Sequence, residues 1–457
     1  MVHSEIAGGL LMPENIEELI EEKRYNELRR ILIDLNEADI AAIMEDAPKE
    51  ERLRIFRLLK KDMAADVFSF LPTDIGQELI TALTDVEAAN VINNLMADDA
   101  ADLMEEMPAN VVKRLLANAT AETRRDINHL LKFPDDSAGS IMTVEYVDLK
   151  ANWTIAKCMD RIRNIGLDSE TIYTCYVIDD KRKLIGTAAL RYLLIADPEA
   201  TIGSIMNENV IAVHTLDDQE EVAKQFQKYD FNSMPVVDQE DRLVGIITVD
   251  DIVDIIQEEA TEDIEKMAAI MPIDQQKPYL RQSVFEIWKR RIIWLLFLMV
   301  SATFTGKIIT HYEDALGAYI VLTSFIPMIM DTSGNAGSQT SVTVIRALSL
   351  DDIEFSDFFK VVWKEMRVAL LAGITLAAAN FVKLQIVDHV SMTVAFVVCM
   401  TLITTVFVAK LIGAMLPMVS KKIGLDPAVM ASPFITTIVD AVALLVYFSF
   451  ATAVLHI

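Results

Sequence analysis

Cysteine is scarce in this 457-residue chain: there are three, Cys158, Cys175 and Cys399, and none sits in a CxxC or CxxH spacing. Zinc sites of the usual thiolate spacing are therefore excluded, and a sparse odd count suits a reducing compartment. The six histidines form no HExxH and no His-rich tract, and neither a P-loop nor a GxSxG segment occurs. The common metallohydrolase, NTPase and serine-hydrolase chemistries have no footing, and the chain reads as a non-enzyme. The start, MVHSEIAGGLL, lacks a basic region followed by a long apolar one. It is read as having no signal peptide, which leaves the first half in the cytosol. Basic charge is also short: 41 Lys/Arg stand against 68 Asp/Glu, a net −27. The deficit is local. Residues 289–457 hold 12 Lys/Arg and 11 Asp/Glu, so residues 1–288 carry 29 and 57, a balance of −28. Such a surface repels nucleic acid and suits cations, although a solvated acidic surface has the same composition.

Long apolar runs are what the second half has. Five follow Arg291, at about 292–310, 316–347, 368–386, 392–419 and 427–455. Each is long enough for a bilayer core, which takes about 20 helical residues. Lys289, Arg290 and Arg291 precede the first run. Arg346, Lys360, Lys364 and Arg367 separate the second from the third, and Lys421 and Lys422 separate the fourth from the fifth. The bias places the N-terminus inside and, with five spans, the C-terminus outside. The expected location is a cell membrane, crossed several times.

Ionisable residues at membrane depth default to function. Asp440 lies about midway along the fifth run, in ITTIVDAVALLVYF, with no basic residue in that run to pair with. A wet pore accommodates it, and a protonated Asp bonded across helices is the other solution. Thr436 and Thr437, one turn earlier, add hydroxyl oxygens. The second run carries PMIMDTSGNAGSQTSVTVIR, where Pro327, Gly334 and Gly337 weaken a helix and Asp331, Asn335, Ser338, Gln339 and Thr340 add polar atoms. Irregular polar backbone at that depth is expected only where it lines water or is buried in protein. Pro327, Asn335, Gln339, Thr436 and Thr437 are the candidate pore lining. Oxygen ligands without a thiolate or imidazole cluster favour a hard cation. Magnesium, held through its waters by one or two carboxylates, fits a single pore carboxylate doubled in a symmetric dimer.

In the soluble half, VIDDKRKLIG (177–186) returns as VVDQEDRLVG (236–245), an offset of 59. Each reads as strand, acidic turn, strand, and the surrounding 133–262 resembles a tandem pair of α/β CBS domains. Such pairs in many proteins bind adenine nucleotides. The second copy keeps a Gly245, Thr248, Asp250 spacing that makes Asp250 a candidate ATP contact, whereas the first reads GTAALR and departs from it. Residues 1–132 read as helical, and the 62–72 segment recurs at 98–108, an offset of 36 that suggests a superhelical stack. An amphipathic connecting helix is expected over 263–288. Ahead of it, Asp251, Asp254, Glu258 and Glu262 fall near one helix face, where they repel unless cations intervene or water screens them.

The order of these parts, with FPDDSAGSIMT (133–143), PMIMDTSGNAGSQ (327–339) and SPFITTIVD (432–440), resembles the MgtE family of bacterial magnesium channels over essentially the whole chain. The resemblance implies a homodimer with one pore lined by the second and fifth helices of a five-helix membrane domain (289–457). It implies magnesium held at Asp440 and a connecting helix that plugs the pore. It places regulatory magnesium at Asp230, Asp251, Asp254, Glu259, Glu262 and Asp263, with Asp426 joining plug to pore. It also implies a bridge from Asp99, for which Asp98 and Asp102 are equally eligible. A secondary-active divalent-cation transporter and a membrane-tethered magnesium sensor are the alternatives.

Overall fold

In a computed structural model, which describes residues 16–272, 279–430 and 432–456, nine successive helices start twelve residues apart. After α1 (Ile16–Glu21) come α2 (Tyr25–Leu32), α3 (Glu37–Asp46), α4 (Lys49–Phe56), α5 (Lys61–Ser69) and α6 (Thr73–Ala82). Then follow α7 (Asp85–Ile92), α8 (Ala97–Glu105), α9 (Ala109–Asn118) and α10 (Ala121–Leu130). The 36-residue recurrence is three of these units. Six of the nine units carry a marked start. Asn36, Thr84 and Thr120 cap the amides of α3, α7 and α10 with their side chains, and Pro48, Pro72 and Pro108 stand before α4, α6 and α9. Proline tolerates a helix start and pushes the residue before it into extended backbone, so it ends one turn and opens the next. One apolar cluster, from Ile16 through Leu79 to Ile127, runs the length of the stack.

The next stretch builds one βαββα unit twice. In the first, β1 (Tyr146–Lys150), α11 (Ile155–Ile165), β2 (Thr171–Ile178) and β3 (Leu184–Ala189) lead into α12 (Leu190–Ile195). In the second, β4 (Val213–His214), α13 (Gln219–Tyr229), β5 (Ser233–Val237) and β6 (Leu243–Thr248) lead into α14 (Val249–Met267). The 59-residue offset extends to the register. Val177 pairs with Gly186 and Val236 with Gly245, each next to an irregularity one residue on. Asp179 and Asp238 each accept two amides of their turns, and Arg182 and Asp241 take the left-handed backbone. Tyr176 and Ser233 share a buried hydrogen bond of 2.9 Å that joins the two sheets.

Contacts divide the chain into two compact units, 1–257 and 258–457. The second contains the end of α14, then α15 (Val284–His311), α16 (Glu313–Ala318), α17 (Ile326–Ser349), α18 (Phe358–Ile386), α19 (Met392–Lys422) and α20 (Ser432–Leu455). By length and composition α15, α18, α19 and α20 can each cross a membrane; α17 is too polar to meet that criterion alone.

Two expectations change. The polar second run is not irregular at its glycines: α17 is continuous, with Pro327 in its first turn, where a missing N–H costs nothing. Gly334 and Gly337 are instead contact points. A Cβ at Gly334 would sit 3.3 Å from Thr436, and one at Gly337 would sit 3.0 Å from Ile435. The irregular part lies earlier, in α16 and a 3-10 turn at Ile320–Phe325. The connecting helix does not span 263–288. It begins at Val249 and ends at Met267, where Ala269 takes φ +55° and the Ile270 and Ala269 amides bond the Glu265 and Lys266 carbonyls. That is a Schellman stop. Residues 273–278 of this segment, and 1–15 at the start, lie outside the described residues.

Candidate functional site

Small apolar side chains set the acidic site of the first unit. Ala97 and Ala101, one turn apart on α8, are buried in the same cluster as Ile252 and Ile255 of α14 and Phe226, Met234 and Ile247 of the second βαββα copy. Packing these faces leaves the adjacent acids at the seam. Asp98 and Asp99 of α8 repel Asp251 of α14, and Asp250, Glu145 and Glu170 join the same field. Loss of solvent is the largest effect, and the neighbouring carboxylates add to it. Together they push Asp99 and Asp251 up to about 6, Glu170 up to about 7, and Asp98 well above the carboxylate range. A 2.7 Å hydrogen bond from Thr248 partly offsets the rise at Asp251. All these donors are carboxylate oxygens, the set a hard divalent cation takes. Among the described residues, no three acidic, His or Cys side chains converge as a ready-made metal cage.

The sequence expectation therefore divides. Asp99, Asp250 and Asp251 come together, with Asp98 beside them. Asp254 is exposed and acts on Asp251 by charge alone, and Asp230 is exposed in left-handed backbone at the end of α13, whereas Asp102, one turn beyond Asp98, belongs to the same field: loss of solvent and repulsion from Asp99 and Asp251 push it up to about 8. Glu145 and Glu170 were missed. Both lie in the first βαββα copy, far from the acidic run that drew attention.

In the second unit the end of α14 is fastened by charges. The Lys266 ammonium bridges Glu262 and Asp426, 2.7 Å from each. Burial opposes its charge, but these hydrogen bonds outweigh it and hold the lysine above its usual range. Arg290 of α15 pairs with Glu265 and donates to the Met271 carbonyl at 2.7 Å. Ser349 at the end of α17 donates to Asp263 at 3.4 Å, and Met267 packs on Ile345 and Ala428. Of the expected ligands, Glu262, Asp263 and Asp426 thus meet here. Lys266 and Arg290 were missed, because pairings across 160 and 25 residues leave no local spacing to read.

Asp440 is the ninth of the 24 residues of α20, one turn before its middle. It faces α17: a Cβ at Gly334 would come 3.7 Å from its carboxylate. Thr436 and Thr437 both donate to the Pro433 carbonyl at 3.0 Å. Their oxygens keep lone pairs for other donors or a cation. On α17, Asp331, Asn335 and Gln339 recur every four residues and are exposed, as is Pro327. Together with Thr332 these three line a cleft of about 600 Å³ against α18 and α19. Lys410 of α19 lines it too. Its ammonium is buried and donates to Thr340 at 3.1 Å, and Thr340 donates to Glu365 of α18 at 3.1 Å. A lysine in the middle of the fourth apolar run was the signal for it.

Three family profiles match. One described as divalent cation transporter covers residues 326–450, one described as MgtE intracellular N domain covers 35–136, and one described as CBS domain covers 202–258. The magnesium transporter MgtE of Thermus thermophilus is 36% identical over 97% of this chain and 98% of its own length. That of Bacillus subtilis is 31% identical over 96% of each. Among solved structures, the soluble part of a magnesium transporter aligns with TM-score 0.51 and 32% identity, covering 54% of this chain and 96% of its own. The cytosolic domain of the Mg2+ channel MgtE in complex with ATP aligns with TM-score 0.51 and 36% identity, covering 53% and 98%.

Proposed function

Because the chain belongs to the MgtE family of magnesium transporters, we propose that it is a magnesium channel, closed by the ion it conducts. The pore in this reading lies on the axis of a homodimer, lined by α17 and α20 of both protomers. The observation that carries it is the placement of Asp440 against the glycine face of α17, beside the exposed Asp331–Asn335–Gln339 stripe. One carboxylate per protomer, two across the axis, suits magnesium that keeps most of its water. Thr436 and Thr437 present oxygens to those waters.

Gating follows from the charges. With magnesium scarce, the half-buried Asp98, Asp99, Asp251, Glu145 and Glu170 and the exposed Asp250 repel one another, and the helical stack separates from the CBS pair. With magnesium abundant, the ion offsets that repulsion and favours the compact form, to which it binds more tightly. Asp230, Asp254 and Glu259 are accessory ligands in this scheme. Helix α14, about 28 Å long at 1.5 Å per residue, carries the change from Asp251 at its start to Lys266 near its end. Glu262, Asp263, Lys266 and Asp426 hold the plug. The relative with bound ATP supports a nucleotide on the CBS pair here as well, with Asp250 as its contact. The basic residues around the spans favour a cytoplasmic N-terminus and an external C-terminus.

The deciding experiment is magnesium flux into liposomes carrying the wild type or Asp440→Ala. A loss of at least ten-fold, with normal insertion and dimerisation, is expected. Unchanged flux refutes the pore and favours a sensor without transport. Single-channel recording separates channel from exchanger: discrete passive currents are expected, and obligatory counter-flux without them overturns the channel.

A further inference from the structure

Lys410, Thr340 and Glu365 form a charge relay across α19, α17 and α18, and nothing in the proposed pore uses it. We propose that this relay is a positioning device that fixes the rotation of α17, and so holds Asp331, Asn335 and Gln339 at the wall of the cation path. The inference rests on the reading of α17 as a pore helix.

A buried lysine in a membrane helix is costly, and it persists where a partner and a role exist. Lys410 is 7% exposed and lies near the middle of α19. Among the described residues its partner is a single hydroxyl, Thr340, which accepts from the ammonium and donates to Glu365, each at 3.1 Å. One oxygen serves both neighbours only when Thr340 points at the junction of α18 and α19. Gln339 precedes it by 100° of helix rotation, which turns Gln339, and with it Asn335 and Asp331, toward the cleft. Turning α17 by one residue either way would bring Ser341 or Gln339 to the lysine and carry the polar stripe into packed protein. Sliding is opposed separately, because Gly413 of α19 approaches the Gly337 backbone with no room for a Cβ. Packing therefore sets the height of α17, and the relay sets its facing.

The test uses the full-length chain in liposomes, with its three cysteines replaced by alanine and single cysteines introduced on α17. A water-soluble thiol reagent should label Asn335→Cys and Gln339→Cys, with magnesium protecting both, and should spare the fully buried Ser333→Cys and Ser341→Cys. Adding Thr340→Val, which keeps the volume and deletes the hydroxyl, should cut stripe labelling at least ten-fold or spread it to the other positions. Thr340→Ser should keep the wild-type pattern. Identical patterns for Val and Ser overturn the relay while the pore reading stands. A stripe that never labels, or that magnesium never protects, overturns the pore reading itself. In flux, Lys410→Met should lower the maximal rate at least ten-fold with the half-saturating magnesium changed less than two-fold. Adding Glu365→Gln should restore the rate to within three-fold. A change confined to half-saturation would place Lys410 in cation binding and overturn the positioning role. Where Lys410→Met does not insert, the Thr340 pair decides.

Discussion

Protons should partly substitute for magnesium at the seam between α8 and α14. Asp99 and Asp251 stand at about 6 against 3.8 for an ordinary aspartate, and Glu170 at about 7 against 4.5. A shift of two units is about 3 kcal/mol per group. The three share the same repulsions, so their combined burden on the compact form is about 3–6 kcal/mol rather than the full total. The sign follows from proton counts. Acids raised in the compact form bind more protons there than when separated. Compact stability is therefore fully present below pH 4, falls as pH rises through 4 to 7, and stays low above that unless a cation enters. Asp251→Asn removes one charge and relieves Asp98, Asp99 and Glu170 together. At pH 7.5 without magnesium it should favour the compact form by about 2 kcal/mol, near thirty-fold in population. Its response to magnesium should shrink at the same time, since a ligand is gone. The assay is energy transfer between dyes at exposed positions, Val86 on α7 and Leu167 after α11, followed against pH and magnesium. Transfer should rise on acidification without magnesium and become insensitive to pH at saturating magnesium. A magnesium-free signal that is flat from pH 5 to 8, or a variant that matches the wild type, refutes the reasoning and makes these acids a solvated face.

Other outcomes follow from the same contacts. Lys266→Met leaves Glu262 and Asp426 facing each other without the ammonium, so the end of α14 should loosen when magnesium is absent. Disulfide formation between cysteines at Met267 and Ala428, in a chain otherwise lacking cysteine, should fall several-fold and recover with added magnesium; unchanged cross-linking would show that the lysine holds nothing. Gly413→Ala places a methyl group against the Gly337 carbonyl, and overpacking of this kind costs about 1–3 kcal/mol. A lower thermal midpoint in detergent is the check, and an unchanged midpoint would mean that α17 and α19 can part at no cost.

Much of the fold could be read because its repeats are local. The strand–turn–strand pair at an offset of 59 was visible as VIDDKRKLIG and VVDQEDRLVG, and the paired registers of Val177 with Gly186 and Val236 with Gly245 are its direct consequence. The 36-residue recurrence was seen, but its twelve-residue unit was not. Prolines mark only some units, Asn or Thr mark others, and Lys60 and Met96 mark two with no side-chain cap. α17 misled in the opposite direction. Glycine propensity is measured in water, and here Gly334 and Gly337 are filled by neighbouring helices, so tertiary packing overrode it.

The site was half legible for a related reason. Acids announce themselves by number, so Asp440 and the run from Asp250 to Asp263 stood out, and a net of −28 over 288 residues pointed to cations. The positive charges that answer them came singly. Lys266 finds Asp426 at a separation of 160 residues, and Lys410 finds Thr340 at 70. Neither pairing has a helical period to reveal it. Yet each follows from a rule the sequence does obey: a charge that must be buried keeps its cost low only with a partner. In this chain the partners are of two kinds. At Asp426 a lysine is built in, and at Glu365 one reaches the acid by way of Thr340. At Asp98, Asp99 and Asp251 the charged neighbours among the described residues are acids, and in the proposed scheme a mobile cation takes the place of the lysine. In that scheme, whether a tethered cation serves an acid is what separates the lysine-held contacts from the magnesium-dependent ones.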